Sequence, residues 1–143
     1  VKRYLSKISG PLLDRIDLHV EVNPVSYDEL SSQERPKLDS AAIRERVLQA
    51  RAIQAERFKG LKDVYCNAQM PSRMVREVCA LSQEGLEKLK TAMERLQLSA
   101  RAYDRILKVA RTAADLGGSK DIRLIDLAEA IHYRSLDREG WAG

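Results

Sequence analysis

Apolar side chains recur at helical spacing along most of the chain, and this periodicity decides the class of fold. Leu86, Leu89, Met93 and Leu96 fall at i, i+3, i+7 and i+10, which predicts a helix that Ser82 caps. A second segment, from the cap Ser99 to Gly117-Gly118, also has its apolar residues on one side: Tyr103, Ile106, Leu107, Ala110, Ala113 and Ala114. Such helices must bury their apolar sides against each other, so the sequence predicts an antiparallel helical bundle.

Three further helices are predicted in the same part of the chain. One begins at the cap Ser40 and ends near Phe58, a short one covers residues 72–80, and the last covers residues 123–134. The apolar positions of the first include Ile43, Val47, Ala50 and Phe58. The positions expected to be buried in the other two are Met74, Val75, Val78, Leu124, Leu127, Ala128 and Ile131. Cys79 lies on an apolar helix face, which favours a buried, reduced thiol.

Residues 17–22 have a different pattern. Polar and apolar side chains alternate from Asp17 to Val22, which predicts a single β-strand. One strand cannot satisfy its own backbone hydrogen bonds, so we expect its sheet to be completed by strands outside this chain. The polar residues 31–39 are predicted to form a linker. The predicted fold is therefore mainly α, a helical bundle over residues 39–143 that follows the remnant of an α/β core over residues 1–38.

Composition and motifs exclude several classes of function. No apolar run approaches the roughly 20 residues that span a bilayer, and no signal peptide is evident, so we expect a cytoplasmic protein without a membrane partner. Two cysteines and two histidines, far apart, predict no metal site. His19 and His132 are expected to be structural or surface residues. Because no Gly-rich phosphate loop is present, the chain alone is expected neither to bind nor to hydrolyse a nucleotide.

Two basic features remain. Asp14 and Arg15 follow a turn at Gly10-Pro11 and precede the predicted strand. On pattern alone this segment is typical of a helix–strand corner with a surface salt bridge.

The second feature is a basic row on the helix that Ser99 caps. Its members, Arg101, Arg105, Lys108 and Thr112, follow 4, 3, 4 spacing and so share one helix face. A basic row near a helix N-terminus can attract phosphate. The alternative is a solvated face whose charge Asp104 and Asp115 balance.

Five segments carry a resemblance to a known family: residues 7–22, 43–47, 67–70, 98–112 and 127–134. The two longest read Lys-Ile-Ser-Gly-Pro-Leu-Leu-Asp-Arg-Ile-Asp-Leu-His-Val-Glu-Val and Leu-Ser-Ala-Arg-Ala-Tyr-Asp-Arg-Ile-Leu-Lys-Val-Ala-Arg-Thr. They resemble the C-terminal third of the ComM/YifB family of bacterial magnesium-chelatase-like AAA+ ATPases. Two departures are visible. The linker lacks a Gly-Glu pair, and Asp126 stands where the family usually has His; neither is expected to touch a site.

The resemblance implies an α/β ATPase core followed by a helical lid. Residues 1–38 would be the edge of that core and residues 39–143 would contain the lid, while ATP and magnesium would bind upstream. The full-length proteins are expected to be hexameric ATP-driven motors that act on branched DNA during uptake of transforming DNA. The implied partners are the upstream core, neighbouring identical subunits and, through the full-length protein, DNA.

Residue roles follow from the same resemblance. Arg15 matches an arginine finger that would reach the nucleotide of the neighbouring subunit. Arg101 matches the sensor arginine of the lid, and Arg105 is a weaker second candidate. Two other functions stay open. A true magnesium-chelatase subunit would serve metal insertion into a porphyrin, although Lys-Ile-Ser-Gly-Pro and Ala-Glu-Ala-Ile-His-Tyr-Arg favour the ComM/YifB branch. A stand-alone helical DNA-binding module would need a recognition helix, and acidic residues interrupt most basic stretches.

Overall fold

A computed structural model describes residues 10–20, 22–27, 31 and 39–134. In these ranges the chain forms helices α1 (Gly10–Leu13), α2 (Ser40–Arg57), α3 (Ser72–Val78), α4 (Gln83–Arg95), α5 (Ala100–Leu116) and α6 (Leu124–His132), with a 3₁₀ turn at Asn67–Gln69. The prediction of a mainly α-helical fold is confirmed. None of the helices in these ranges has the length and apolar character needed to cross a membrane.

The strand predicted from Asp17 to Val22 is wrong for the residues described there, 17–20 and 22. This segment is irregular, and none of the described residues forms a β-strand. Burial also does not follow the alternation, because His19 is 4% exposed, whereas Val20 and Val22 are 64% and 84% exposed. Without a neighbouring strand, the backbone bonds to the helical bundle instead, since the His19 N–H donates to the Tyr133 carbonyl at 2.8 Å.

Side-chain caps fix where the long helices begin. The hydroxyls of Ser82 and Ser99 each accept a backbone N–H of the first turn at 3.2 Å, as predicted for α4 and α5. The residue that caps α2 lies one position before the one that the sequence predicts. Asp39, not Ser40, accepts the Ala42 N–H at 2.8 Å, because the carboxylate of Asp39 lies just before the helix.

Helix α5 lies at the centre of the core and packs against α2, α3, α6 and the 3₁₀ turn. The buried apolar cluster comprises Phe58, Val64, Met70, Val75, Cys79, Leu89, Ile106, Leu107, Ala110, Ala114, Ile122, Leu127 and Ala130. The apolar side chains in the first half of α2 do not enter the core, because Ile43 and Val47 are 49% and 42% exposed. Only Ala50 and Gln54 of that helix are buried, so α2 meets the core near its C-terminal end.

A buried polar network joins α2, the 3₁₀ turn and α5 around one carboxylate. The interpretation of Asp115 as a surface charge is wrong, because this residue is buried. Its oxygens accept hydrogen bonds from both terminal nitrogens of Arg57 at 2.7 and 2.5 Å, from Asn67 at 2.9 Å and from Arg111 at 3.2 Å. Burial opposes ionisation of Asp115, but the hydrogen bonds from Arg57 and Asn67 outweigh it and lower the pKa.

Cys79 is buried, as predicted, and burial raises the pKa of its thiol to about 11. The thiolate is the reactive form, so about one Cys79 in a thousand is ionised at pH 8. Cys66 is half-buried and outside the core. We therefore expect a thiol reagent at pH 8 to modify Cys66 at least about 100-fold faster than Cys79 in the folded chain. Mass spectrometry of Cys66→Ser and Cys79→Ser variants measures the two rates separately. Equal rates without denaturant would contradict the packing of Cys79.

Candidate functional site

A groove of about 770 Å³ runs along α5, and α2, α6 and the segment Asp17-Leu18 contribute to its walls. All four members of the basic row line it: Arg101, Arg105, Lys108 and Thr112. They come from successive turns of α5, so the expectation that they share one helix face agrees with the structure. The groove also has apolar side chains, among which are Leu18, Val109, Leu116 and Ile125.

Cationic side chains outnumber acidic ones in the groove lining. Some of the cations have hydrogen-bond or ion-pair partners, and others do not. The lining cations are Arg46, Arg101, Arg105, Lys108 and Arg123, and the acids are Asp17, Asp104, Asp126 and Glu129. Lys108 donates to the carbonyl of Ala68 at 3.0 Å. Among the described residues, the side chains of Arg46 and Arg101 have no hydrogen-bond or ion-pair partner, and both are exposed. The excess positive charge is therefore concentrated at the start of α5 and the facing part of α2.

Arg105, the weaker candidate, is already engaged. Its Nη1 forms an ion pair with the carboxylate of Asp17, and its side chain is only partly exposed. An anion that approached Arg105 would have to compete with Asp17. Arg101 has no such competitor in the part of the chain that the structure describes, so the geometry ranks it above Arg105 as a ligand for an external anion.

The far end of the groove is neutralised by an ion pair. Arg123 donates from its backbone N–H and Nε to one oxygen of Asp126, both at 2.9 Å, and from Nη2 to the other at 2.8 Å. The hydrogen bond from the Arg123 side chain lowers the pKa of Asp126. A Cβ atom at Gly117 would lie 2.5 Å from Arg123 Nη2, so a larger residue there would require the end of the Arg123 side chain to shift. Asp126, which from the sequence is not expected to touch a site, lines the groove.

Arg15 does not line the groove. It lies on a corner that we define as residues 13–19, of which Asp17 and Leu18 do line the groove. Two backbone hydrogen bonds of 3.0 Å, from Arg15 to Leu12 and from Ile16 to Leu13, form the turn after α1. The Arg15 side chain is exposed. Asp14 does not form the surface salt bridge with Arg15 that the pattern suggests, because its carboxylate instead lies 3.7 Å from Arg134 Nη2. Arg101 therefore lines the groove, and Arg15 does not.

Sequence reasoning missed three groove or corner residues. Arg46 and Tyr133 line the groove from α2 and the end of α6, and Arg134 is buried beneath the corner. Their positions depend on contacts between distant parts of the chain, which helical periodicity does not report. His19 has the structural role expected of it, since its Nε2 lies 3.2 Å from the carbonyl of Leu13. The available signal for Arg134 was its place in the segment 127–134, which carries the family resemblance.

Comparison with known proteins gives consistent matches. A family model described as magnesium chelatase, subunit ChlI C-terminal, matches residues 37–134, and one described as magnesium chelatase, subunit ChlI, matches residues 1–30. Competence protein ComM of Haemophilus influenzae is 41% identical over 138 residues, which are 96% of this chain and 26% of ComM. The uncharacterized protein YifB of Escherichia coli is 40% identical over 136 residues, 95% of this chain and 26% of YifB. The chain thus spans about a quarter of the length of these relatives.

Proposed function

Because this chain belongs to the magnesium chelatase subunit ChlI C-terminal family, and is similar to ComM and YifB over nearly its whole length, we propose that it is the nucleotide-sensing part of a hexameric ATP-driven motor that acts on DNA. In this proposal the chain works within a longer protein, called the parent protein below. The observation that carries the proposal is the groove along α5, in which Arg101 faces solvent without a carboxylate partner among the described residues.

The start of α5 suits a phosphate for two physical reasons. Arg101 is the second residue of a 17-residue helix, where the unpaired backbone N–H groups and the helix dipole favour an anion. Arg46 of α2 lines the same groove, so two elements of the bundle present cations to one space. A nucleotide held by the parent's own core would draw Arg101 toward its phosphates. The position of the helical bundle would then depend on the nucleotide.

Arg15 has the properties that an arginine finger requires. It is exposed, it lies outside the groove, and it sits in a turn whose neighbouring residues contact the bundle. In the ring that we propose, Arg15 reaches the γ-phosphate bound to the next subunit and neutralises charge that develops in the transition state. Its planar guanidinium suits this role, because it can bind two phosphate oxygens at once.

A magnesium-chelatase subunit is the second candidate, and the description of the matching family favours it. The groove and the corner would serve either function, because both need a nucleotide-dependent ring. The two functions differ in what the parent protein acts on. ATP hydrolysis stimulated by branched DNA supports the motor on DNA, whereas ATP-dependent metal insertion into a porphyrin, with added partner subunits, supports the chelatase.

Replacing Arg101 tests the sensor assignment. In the parent protein, Arg101→Ala should weaken ATP binding by about 10- to 100-fold, because a hydrogen bond to a charged group contributes about 1.5–3 kcal/mol. The conformational response to nucleotide and the turnover should fall with it. Titration with a fluorescent ATP analogue measures the binding, and Arg95→Ala, at the end of α4 and outside the groove, is the matched control. Wild-type binding and turnover in Arg101→Ala would refute the assignment.

The chain alone should bind DNA at most weakly. Its net charge is only +4, and the acids of the groove offset most of its cations. Non-specific phosphate contacts of this kind give dissociation constants of about 10⁻⁴–10⁻⁶ M at physiological salt. Fluorescence anisotropy with duplex and branched DNA over a range of salt concentrations measures this. Sub-micromolar binding at physiological salt would favour a stand-alone DNA-binding module instead.

A further inference from the structure

Two parts of the chain that are far apart in sequence meet beneath Arg15. Tyr133 and Arg134 directly follow α6 and end the motif Ala-Glu-Ala-Ile-His-Tyr-Arg, to which the sensor and finger roles assign no function. The Tyr133 carbonyl accepts the His19 N–H at 2.8 Å, and Arg134 contacts the corner through its guanidinium. The corner is thus bonded to α6 by backbone and by side chain.

Arg134 is placed to hold the residues on both sides of Arg15. Its Nη1 donates to the carbonyl of Ile16, and its Nη2 lies 3.7 Å from the carboxylate of Asp14. The guanidinium is 1% exposed although it carries a full charge. Burying such a charge costs several kcal/mol unless hydrogen bonds and an opposite charge compensate it. The corner supplies one hydrogen-bond acceptor, the Ile16 carbonyl, and one opposite charge, the Asp14 carboxylate, so the position of the corner and the burial of Arg134 depend on each other.

We propose that Arg134 is a positioning residue that fixes the corner against α6 and so sets the direction in which Arg15 projects. This inference rests on the proposed function, because it assumes that Arg15 acts on a neighbouring subunit. Helix α6 also forms a wall of the groove through Asp126 and Glu129. A shift of α6 in response to nucleotide in the groove would therefore move Arg15. The nucleotide bound by one subunit would then change the position of the Arg15 that this subunit presents to its neighbour.

Amide hydrogen exchange of this chain tests the contact between Arg134 and the corner, and it needs no activity assay. Arg134→Gln removes the charge and should speed exchange of the His19 amide by about tenfold or more, while exchange in the middle of α5 stays slow. Arg134→Lys should restore this protection only in part, because an ammonium lacks the fork that spans Ile16 and Asp14. Asp14→Asn leaves Arg134 in place and should give a smaller increase in the exchange rate of the His19 amide. This variant tests the contact if Arg134→Gln does not fold. Unchanged exchange at His19 in Arg134→Gln and Asp14→Asn would overturn the proposal.

Mixed rings of the parent protein test the consequence. Arg134→Gln subunits should hydrolyse ATP slowly alone and regain activity when mixed with subunits whose phosphate loop is inactivated. In such a ring, an intact nucleotide site of one subunit faces an intact corner of the other. A merely structural defect in the bundle would damage the subunit's own nucleotide site, and mixing would not rescue it. Faster exchange at His19 without rescue would therefore overturn the positioning role.

The proposal and the proposed function can fail separately. Normal hydrolysis by Arg15→Ala would refute the finger, and with it the positioning role. Loss of activity in Arg15→Ala together with normal activity in a folded Arg134→Gln would refute the positioning role alone. Arg95→Gln, which changes an exposed arginine at the end of α4, should leave both exchange and hydrolysis unchanged.

Discussion

Arg15→Ala in the parent protein is expected to lower ATP turnover by a factor that approaches about 10³–10⁵ while ATP affinity stays nearly unchanged. The Arg15 side chain is exposed on the corner and does not line the groove that we assign to the subunit's own nucleotide. Its absence should therefore affect the chemical step in the neighbouring subunit and not the binding of ATP. Steady-state hydrolysis and equilibrium binding of an ATP analogue separate these two effects.

Two further variants test whether the effect is specific to the guanidinium of Arg15. Arg15→Lys should remain well below the wild-type rate, because a single ammonium cannot bind two phosphate oxygens as the planar guanidinium does. Arg76→Ala, an exposed arginine in the last turn of α3, should have no effect. Hydrolysis by Arg15→Ala at the wild-type rate would make the corner a purely structural feature.

Asp115→Asn should destabilise the chain by about 3–5 kcal/mol, because it leaves the guanidinium groups of Arg57 and Arg111 without their buried counter-charge. Asparagine keeps the shape of the side chain, so the loss measures the charge and its hydrogen bonds. Urea unfolding followed by circular dichroism at pH 7 gives the difference. Asp121→Asn, an exposed acid in the loop before α6, should change stability by less than about 0.5 kcal/mol.

The same comparison has a defined pH dependence. The pKa of Asp115 is lowered in the folded state, so its contribution to stability is fully present above the unfolded value of about 3.9. That contribution is lost as the pH falls through the lowered folded value, where a protonated Asp115 resembles asparagine. The stability difference between wild type and Asp115→Asn should therefore shrink at acidic pH. A difference that is small at pH 7, or that grows on acidification, would contradict the network.

The helical part of the fold could be predicted because its signals are local. Apolar spacing marks α4 and α5, and Ser82 and Ser99 mark where they begin. The signal was less informative for α2, where Ile43 and Val47 follow the pattern but are largely exposed. Helical spacing states which residues share a face, and not whether another element covers that face.

The prediction of a strand over residues 17–22 was wrong for a different reason. Alternation from Asp17 to Val22 is a pattern of side chains, but a strand exists only when a second strand accepts and donates its backbone hydrogen bonds. In this chain the segment takes its partners from the bundle, through Tyr133 and Arg105. That outcome depends on where α5 and α6 lie, which no local pattern in residues 17–22 reports.

The candidate site was predictable in part. The 4, 3, 4 spacing placed Arg101, Arg105 and Lys108 on one face, and they do line one groove. Spacing could not show that Asp17 pairs with Arg105, nor that Arg134 is buried under the corner. Both facts depend on contacts across about 90 to 120 residues of sequence, and they arise only when the chain folds.

The central claim is that one chain serves two nucleotides, its own through Arg101 and its neighbour's through Arg15. ATP hydrolysis by mixed rings of the parent protein tests it most directly. Arg15→Ala subunits mixed with subunits whose phosphate loop is inactivated should regain activity, because a competent ATP site then faces an intact Arg15. Arg101→Ala subunits mixed in the same way should stay inactive, because Arg101 serves the nucleotide of its own subunit. Rescue of both variants, or of neither, would contradict the account.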